Sequence, residues 1–139
     1  MDYNLDRFLD VQAQAYARAL SEIKAGKKTS HWMWFIFPQI KGLGQSEIAK
    51  HYSIKNLDEA AAYLNHPVLG KHLIEISYAL LNIDEKTANQ IFGNPDDLKL
   101  RSSMTLFASV RNSNPVFDKV LAKYFNAQPD KLTLQILHL

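Results

Sequence analysis

At three places a proline directly follows a histidine or an asparagine and opens an apolar stripe: His66-Pro67, Asn94-Pro95 and Asn114-Pro115. Proline suits the first helical position because its missing N–H would have no partner there. Asparagine suits the cap before it because its side-chain oxygen accepts an N–H of the first turn. The stripes behind these prolines keep the helical period. Val68, Leu69, Leu73, Ile76, Leu80 and Leu81 form the first. Leu100, Met104, Phe107 and Ala108 form the second, and Val116, Val120, Leu121, Tyr124 and Phe125 the third. Asp96 and Asp97 fall in the first turn after Pro95, where the helix dipole favours negative charge. His66 reads most simply as an N-cap.

The remaining punctuation also belongs to helices. Leu5, Phe8, Leu9, Tyr16, Ala19, Leu20 and Ile23 share one face, with Asn4 as the expected cap and Gly26 as the expected left-handed exit. Lys27 and Lys28 follow Gly26, on the side the dipole favours for cations. Asn56 with Glu59 three positions on has the capping-box spacing. Asp84 to Phe92 reads as a short helix closed by Gly93, and Asp130 opens a last helix through Leu132, Ile136 and Leu137. Only residues 31–37 look like a strand, and no second run of β-branched or aromatic residues could pair with it. The predicted fold is therefore all-α: a compact orthogonal array of helices with one buried extended aromatic segment, a short helix being the other conformation open to that segment. Pro38 ends the element at Phe37.

A chain of 139 residues fits one domain, spanning 1–139. About two thirds of the unfolded surface can be buried at this size, enough for one core without staples. There is no cysteine, which excludes disulfides and thiolate metal sites. Sixteen basic and 14 acidic residues leave a net charge of +2, so there is no overall field for nucleic acid or an anionic membrane. The longest apolar run, Trp32 to Phe37, is far too short to span a bilayer, and the N-terminus lacks the pattern of a secretory signal. The expectation is a soluble cytoplasmic protein, a monomer or weak dimer, with no cofactor.

Two stretches could carry chemistry. In "SHWMWFIFPQIKGLG" the central Phe35, Ile36 and Phe37 read as core. The edges differ, because a buried indole N–H needs a partner and adjacent tryptophans therefore suit the border between core and groove. His31, Trp32 and Trp34 lead in; Gln39, Lys41, Gly42 and Gly44 lead out, and Ser46 caps the helix "SEIAKHY". A glycine loop running into a helix start can bind an anion, although a simple turn with a cap explains the same residues and the phosphate-loop spacing is absent. In "NPDDLKLRSSMTLFASV", Lys99 and Ser103 are four apart and share a helix face. Either that face lines the groove, or its serines and threonine bond back to their own helix. No activating partner marks Ser103 as a nucleophile. The five histidines show no zinc-binding spacing. Glu47 and Glu75 become acid or base candidates only beside a groove.

"RFLDVQ", "ALSEIKAGKKTSHWMWFIFPQIKGLGQSEIAKHYSI", "EAAAYLNHPVLGKHL" and "IFGNPDDLKLRSSMTLFASV" closely resemble an uncharacterised bacterial family, domain of unknown function 1810. The resemblance covers nearly the whole chain and implies a compact, mainly helical domain; it implies no activity. Members often carry the label calpastatin, which would mean a disordered protease inhibitor. A chain that is 47% hydrophobic, with its apolar residues on regular faces, contradicts that label. A more distant similarity links "KLRSSMTLFASVRNSNPVFDKVL" to the YbiA-like N-glycosidases, which act on riboflavin intermediates and ADP-ribose adducts. The catalytic acids of that family match no positions here, so no catalytic role carries over.

The functional expectation is a site for a small phosphate-containing ligand, a nucleotide or ADP-ribose-like molecule, with N-glycosidase-like hydrolysis as its extension. Its residues would be His31, Trp32, Trp34, Gln39, Lys41, Gly42, Gly44, Ser46, Lys99 and Ser103. The alternative is a non-enzymatic interaction domain that presents an aromatic edge to a protein partner.

Overall fold

The computed structural model describes residues 3–139, and among them it contains nine helices and no strand. These are α1 (Asp6–Lys24), α2 (Met33–Ile36), α3 (Glu47–His51), α4 (Leu57–Asn65), α5 (Leu69–Leu81), α6 (Ala88–Phe92), α7 (Asp96–Ala108), α8 (Val116–Phe125) and α9 (Lys131–Leu137). The α5 helix packs against α1, α4 and α8; α7 packs against α4, α6, α8 and α9; α2 lies on α1. The buried apolar side chains join into one continuous cluster, with Trp32, Tyr63, Phe8, Phe37, Phe107 and Phe117 as its bulkiest members. None of the described helices is long and apolar enough to cross a membrane.

Most helix starts follow the capping chemistry. Asn56 Oδ1 accepts the Glu59 N–H at 2.9 Å, Ser46 Oγ the Ala49 N–H at 3.2 Å, and Asp130 Oδ2 the Thr133 N–H at 2.9 Å. His66 Nδ1 accepts from the Val68 and Leu69 amides, and Asn114 Oδ1 from Val116. Pro95 and Pro115 sit one residue before the first helical residue and Pro67 two before it, a shift within the ordinary fuzziness of helix ends. Gly26 leaves α1 at φ +76° and Gly93 closes α6 at φ +76°.

Five expectations are corrected. Asn94 makes no cap bond to α7, and the Asn56 box is only half formed, because Glu59 Oε1 accepts the Lys55 N–H rather than that of Asn56. Asn4 does not cap α1: Leu5 already has helical angles and makes no side-chain cap bond, and Arg7 donates to the Asn4 carbonyl instead. The short sixth helix starts at Ala88 rather than Asp84, because Glu85 adopts φ +59° and Thr87 with Gln90 forms the capping box. The aromatic segment is buried, but Met33–Ile36 is a helical turn rather than extended chain. Proline restricts only the residue before it, so Phe37 alone leaves helical space, at φ −122° and ψ 73°. Beyond it, Ile40 forms an isolated parallel bridge with Ile54: the Lys41 N–H donates to the Ile54 carbonyl and the Ile54 N–H to Gln39, both at 2.8 Å.

Candidate functional site

The two indoles do not wall a common groove. Trp32 is 1% exposed, and its Nε1 donates to Glu22 Oε1 at 2.9 Å. Glu22 also accepts from the Thr29 and Ser30 amides, at 2.8 and 3.0 Å, and from the Ser30 hydroxyl at 2.6 Å. One carboxylate from α1 thus gathers the loop that leads into α2. Burial alone would raise its pKa, but these hydrogen bonds outweigh burial and hold it at about 2, against 4.5 for a free glutamate. A carboxylate lowered on folding adds stability above its unfolded pKa and loses it as pH falls toward the folded one, here between about pH 5 and pH 2. Glu22 is part-exposed, so solvent screening brings the effect below the full linkage value, to about 2 kcal/mol. Urea unfolding of Glu22→Gln should therefore show a loss near about 2 kcal/mol at neutral pH and a much smaller one near pH 3. Equal losses at both would contradict this role.

Trp34, half-buried, does meet Lys99: the ammonium lies 5.2 Å from the ring centroid. Asp96 takes part of that charge, 3.7 Å from Lys99 and 2.8 Å from Lys28, whose ammonium in turn lies 5.1 Å from the Trp32 ring. Ser103 does not join them at the surface. It is fully buried, and its hydroxyl has no hydrogen-bond partner among the described residues. Its neighbours Ser102 and Thr105 bond back to the carbonyls of Leu98 and Arg101. His31 is exposed and lines a separate hollow of about 480 Å³ with Arg18, Thr29, Ser30 and an edge of Trp32, so of the predicted residues only His31 and Trp32 meet there.

The glycine loop is accounted for by turning and packing. Gly42 has φ +110°, and a Cβ on Gly44 would collide with the Ala49 side chain. Ser46 is occupied as a cap, and Gln39 contributes its backbone to the bridge with Ile54. Lys41 points elsewhere, into a cleft of about 410 Å³ to which neither the 31–34 nor the 99–103 segment contributes.

That cleft is built from segments the sequence reading did not join. Arg7 on α1 is its bolt. Its Nε donates to the His51 carbonyl and one terminal nitrogen to the Ser53 carbonyl, both at 2.9 Å; the other reaches the Asn4 carbonyl. Both terminal nitrogens also reach the Glu59 carboxylate, at 3.3 and 3.4 Å. Glu59 is 3% exposed, and its Oε1 accepts the Lys55 N–H at 2.7 Å. Around this spent pair stand Lys41, Lys50 and Lys55, all exposed, with His51 and Tyr3 beside them. None of the three lysines belongs to an ion pair among the described residues. Among the described residues, four cationic side chains thus face one carboxylate, in a chain whose net charge is only +2.

The other titratable cluster is internal. Gln12, 3% exposed, donates to the Phe35 carbonyl at 2.8 Å and the Tyr63 hydroxyl at 2.9 Å, so its oxygen faces His72 Nδ1 at 2.8 Å. The His72 ring stacks on Tyr16 at 3.7 Å, and the Tyr16 hydroxyl donates to Glu75. Burial lowers the His72 pKa and raises that of Tyr16, whose bond to Glu75 adds to the rise. Glu75 is thereby engaged, and Glu47 stays exposed in the first turn of α3.

These features define an all-helical domain with one concentrated cationic cleft between the start of α1 and the segment 50–55. The chain belongs to the family described as protein of unknown function (DUF1810), whose profile matches residues 2–137. It is similar to the conserved hypothetical protein Rv1873 from Mycobacterium tuberculosis, known from a crystal structure: 44% identity over 99% of this chain and 98% of that one, with a TM-score of 0.96. No curated protein matches it.

Proposed function

We propose that the chain binds a small molecule carrying a phosphate group, of the nucleotide or ADP-ribose-like kind, in the cleft formed by Arg7, Lys41, Lys50, His51 and Lys55. The observation that carries this reading is that, among the described residues, three lysines without a carboxylate partner converge on one hollow whose single carboxylate is already taken by Arg7. Like charges held together at a surface are unfavourable unless an anion joins them. A phosphate offers each lysine a charge-assisted hydrogen bond. The Tyr3 ring, 5.9 Å from the Lys55 ammonium, adds an aromatic face for a base or ribose.

The geometry favours binding over hydrolysis. An N-glycosidase needs a carboxylate free to act on the sugar or on water. Among the described residues Glu59 is the one carboxylate lining this cleft, and its oxygens accept from Arg7 and the Lys55 N–H. The interaction-domain reading has less support. Of the exposed large hydrophobic residues only Tyr78 is aromatic, while Trp32 is sealed and Trp34 lies under Lys99.

Calorimetric titration with inorganic phosphate, ADP and ADP-ribose tests the proposal. At least one of them should bind, more weakly as salt rises, with Kd increased about tenfold or more in the Lys50→Ala/Lys55→Ala double variant and unchanged in Lys99→Ala. No heat with any of the three, or equal affinity in the double variant, would end this reading.

A further inference from the structure

The cationic cleft has an apolar neighbour. A second hollow, of about 290 Å³, has an apolar wall of Ile40, Leu57, Ile136 and Leu137 beside the polar Asn56, Asp58 and His138, and it shares Lys55 with the first. The divider is the parallel bridge: Lys41, just after Ile40, lines the cationic side, and Ile40 itself lines the apolar side. The loop continues through Gly42, where a Cβ would come within 3.4 Å of Ile136 Cδ1, so the chain that carries Lys41 runs directly over α9. Ile136 is 38% exposed, which leaves part of this apolar wall open to water.

Resting on the phosphate-binding reading, we infer that the ligand is amphipathic: a soluble phosphate ester whose phosphate meets Lys41, Lys50 and Lys55 and whose apolar group enters the hollow beside Ile40, Leu57 and Ile136. Lys55 stands at the junction, where the ester oxygen would lie. A cavity of about 150 Å³ is enough for benzene, so this hollow takes a ring or a short alkyl chain. The same chemistry occurs in a phospholipid headgroup. A soluble ester fits better, because the apolar half is a hollow that receives a group rather than a ridge that inserts into a bilayer. Asp58 also lines it, and its carboxylate opposes an anionic membrane surface.

The test is a calorimetric series: inorganic phosphate, then methyl, propyl and butyl phosphate, then phenyl phosphate. Affinity should rise about two- to fourfold for each added methylene that is buried, with phenyl phosphate among the tightest. Ile136→Asn, at a position 38% exposed, should flatten the series and leave inorganic phosphate unchanged. Inorganic phosphate that binds through the lysines in a series with no length dependence would overturn this inference and leave the phosphate site standing. A length dependence that survives Ile136→Asn would overturn the hollow as its cause. No binding by any member would remove both. Co-sedimentation with phosphatidylcholine vesicles containing phosphatidic acid should be absent; its presence in wild type, and loss in Lys50→Ala/Lys55→Ala, would overturn the soluble source.

Discussion

Arg7→Ala is expected to lower the stability of the fold by about 3–5 kcal/mol. The arginine–carboxylate contacts are long, 3.3 and 3.4 Å, so their length is not the reason. The reason is what remains after the guanidinium is gone. Glu59, 3% exposed, would be left with the Lys55 N–H as its remaining partner among the described residues, and the carbonyls of His51 and Ser53 would lose their donor. Removing one member of a buried pair costs far more than the pair itself contributes. The substitution also unfastens α1 from residues 51–53, the floor of the cationic cleft. Denaturant unfolding should show a lower midpoint with an unchanged slope. Arg7→Lys should recover less than half of the loss, since an ammonium cannot reproduce the fork that joins Glu59 to two carbonyls. A loss in Arg7→Ala below about 1 kcal/mol would show that Glu59 finds other partners.

Gly70→Ala is expected to cost about 3 kcal/mol or more, although alanine is the better helix former and would stabilise an exposed helix by about 1 kcal/mol. An added Cβ would lie inside the Leu64 carbonyl group, in the last turn of α4. That atom is backbone and cannot rotate away, so α4 and α5 would have to separate. In a domain of this size the melting temperature should fall by roughly 10 °C. Gly93→Ala is the control. Its φ of +76° and ψ of 166° lie in a region nearly reserved for glycine, but nothing lies within 4 Å of the new atom, so a smaller loss, of about 1–2 kcal/mol, is expected. Equal effects at the two glycines would contradict the close approach of α4 and α5.

How much of this was legible in the sequence follows from the range of each interaction. Caps and stripes act within one helical turn. Asn56, Asp130, Ser46 and His66 therefore reveal their helices, and the proline that follows Phe37 marks the end of its element. The need of the Trp32 indole for a partner was legible too, but not the partner, since Glu22 sits ten positions earlier on another helix. The cleft was the least legible part. Arg7 and Glu59 are 52 positions apart; Arg7 reads alone as an ordinary surface charge, and Glu59 as half of a capping box. Lys50 and Lys55 likewise read as the polar side of short elements. Lys41 was named for a different reason, as the charge on a glycine loop, whereas that loop is held by its own turn and by Ala49. The near balance of 16 basic and 14 acidic residues argued against any concentrated field. A total cannot show that folding sets four cations around Glu59, a carboxylate already occupied by Arg7. Ser103 shows the converse: a polar residue on the Lys99 face is turned wholly into the core.

The location of the ligand is the point on which the account stands, and amide chemical-shift mapping by NMR during a titration with ADP tests it most directly. The predicted result is a saturable set of shifts at Lys41, at residues 50–55 and at the Arg7 side-chain N–H, with the amides of Trp34 and Lys99 unmoved. Saturable shifts centred on Trp34 and Lys99, with the cleft amides unmoved, would contradict it.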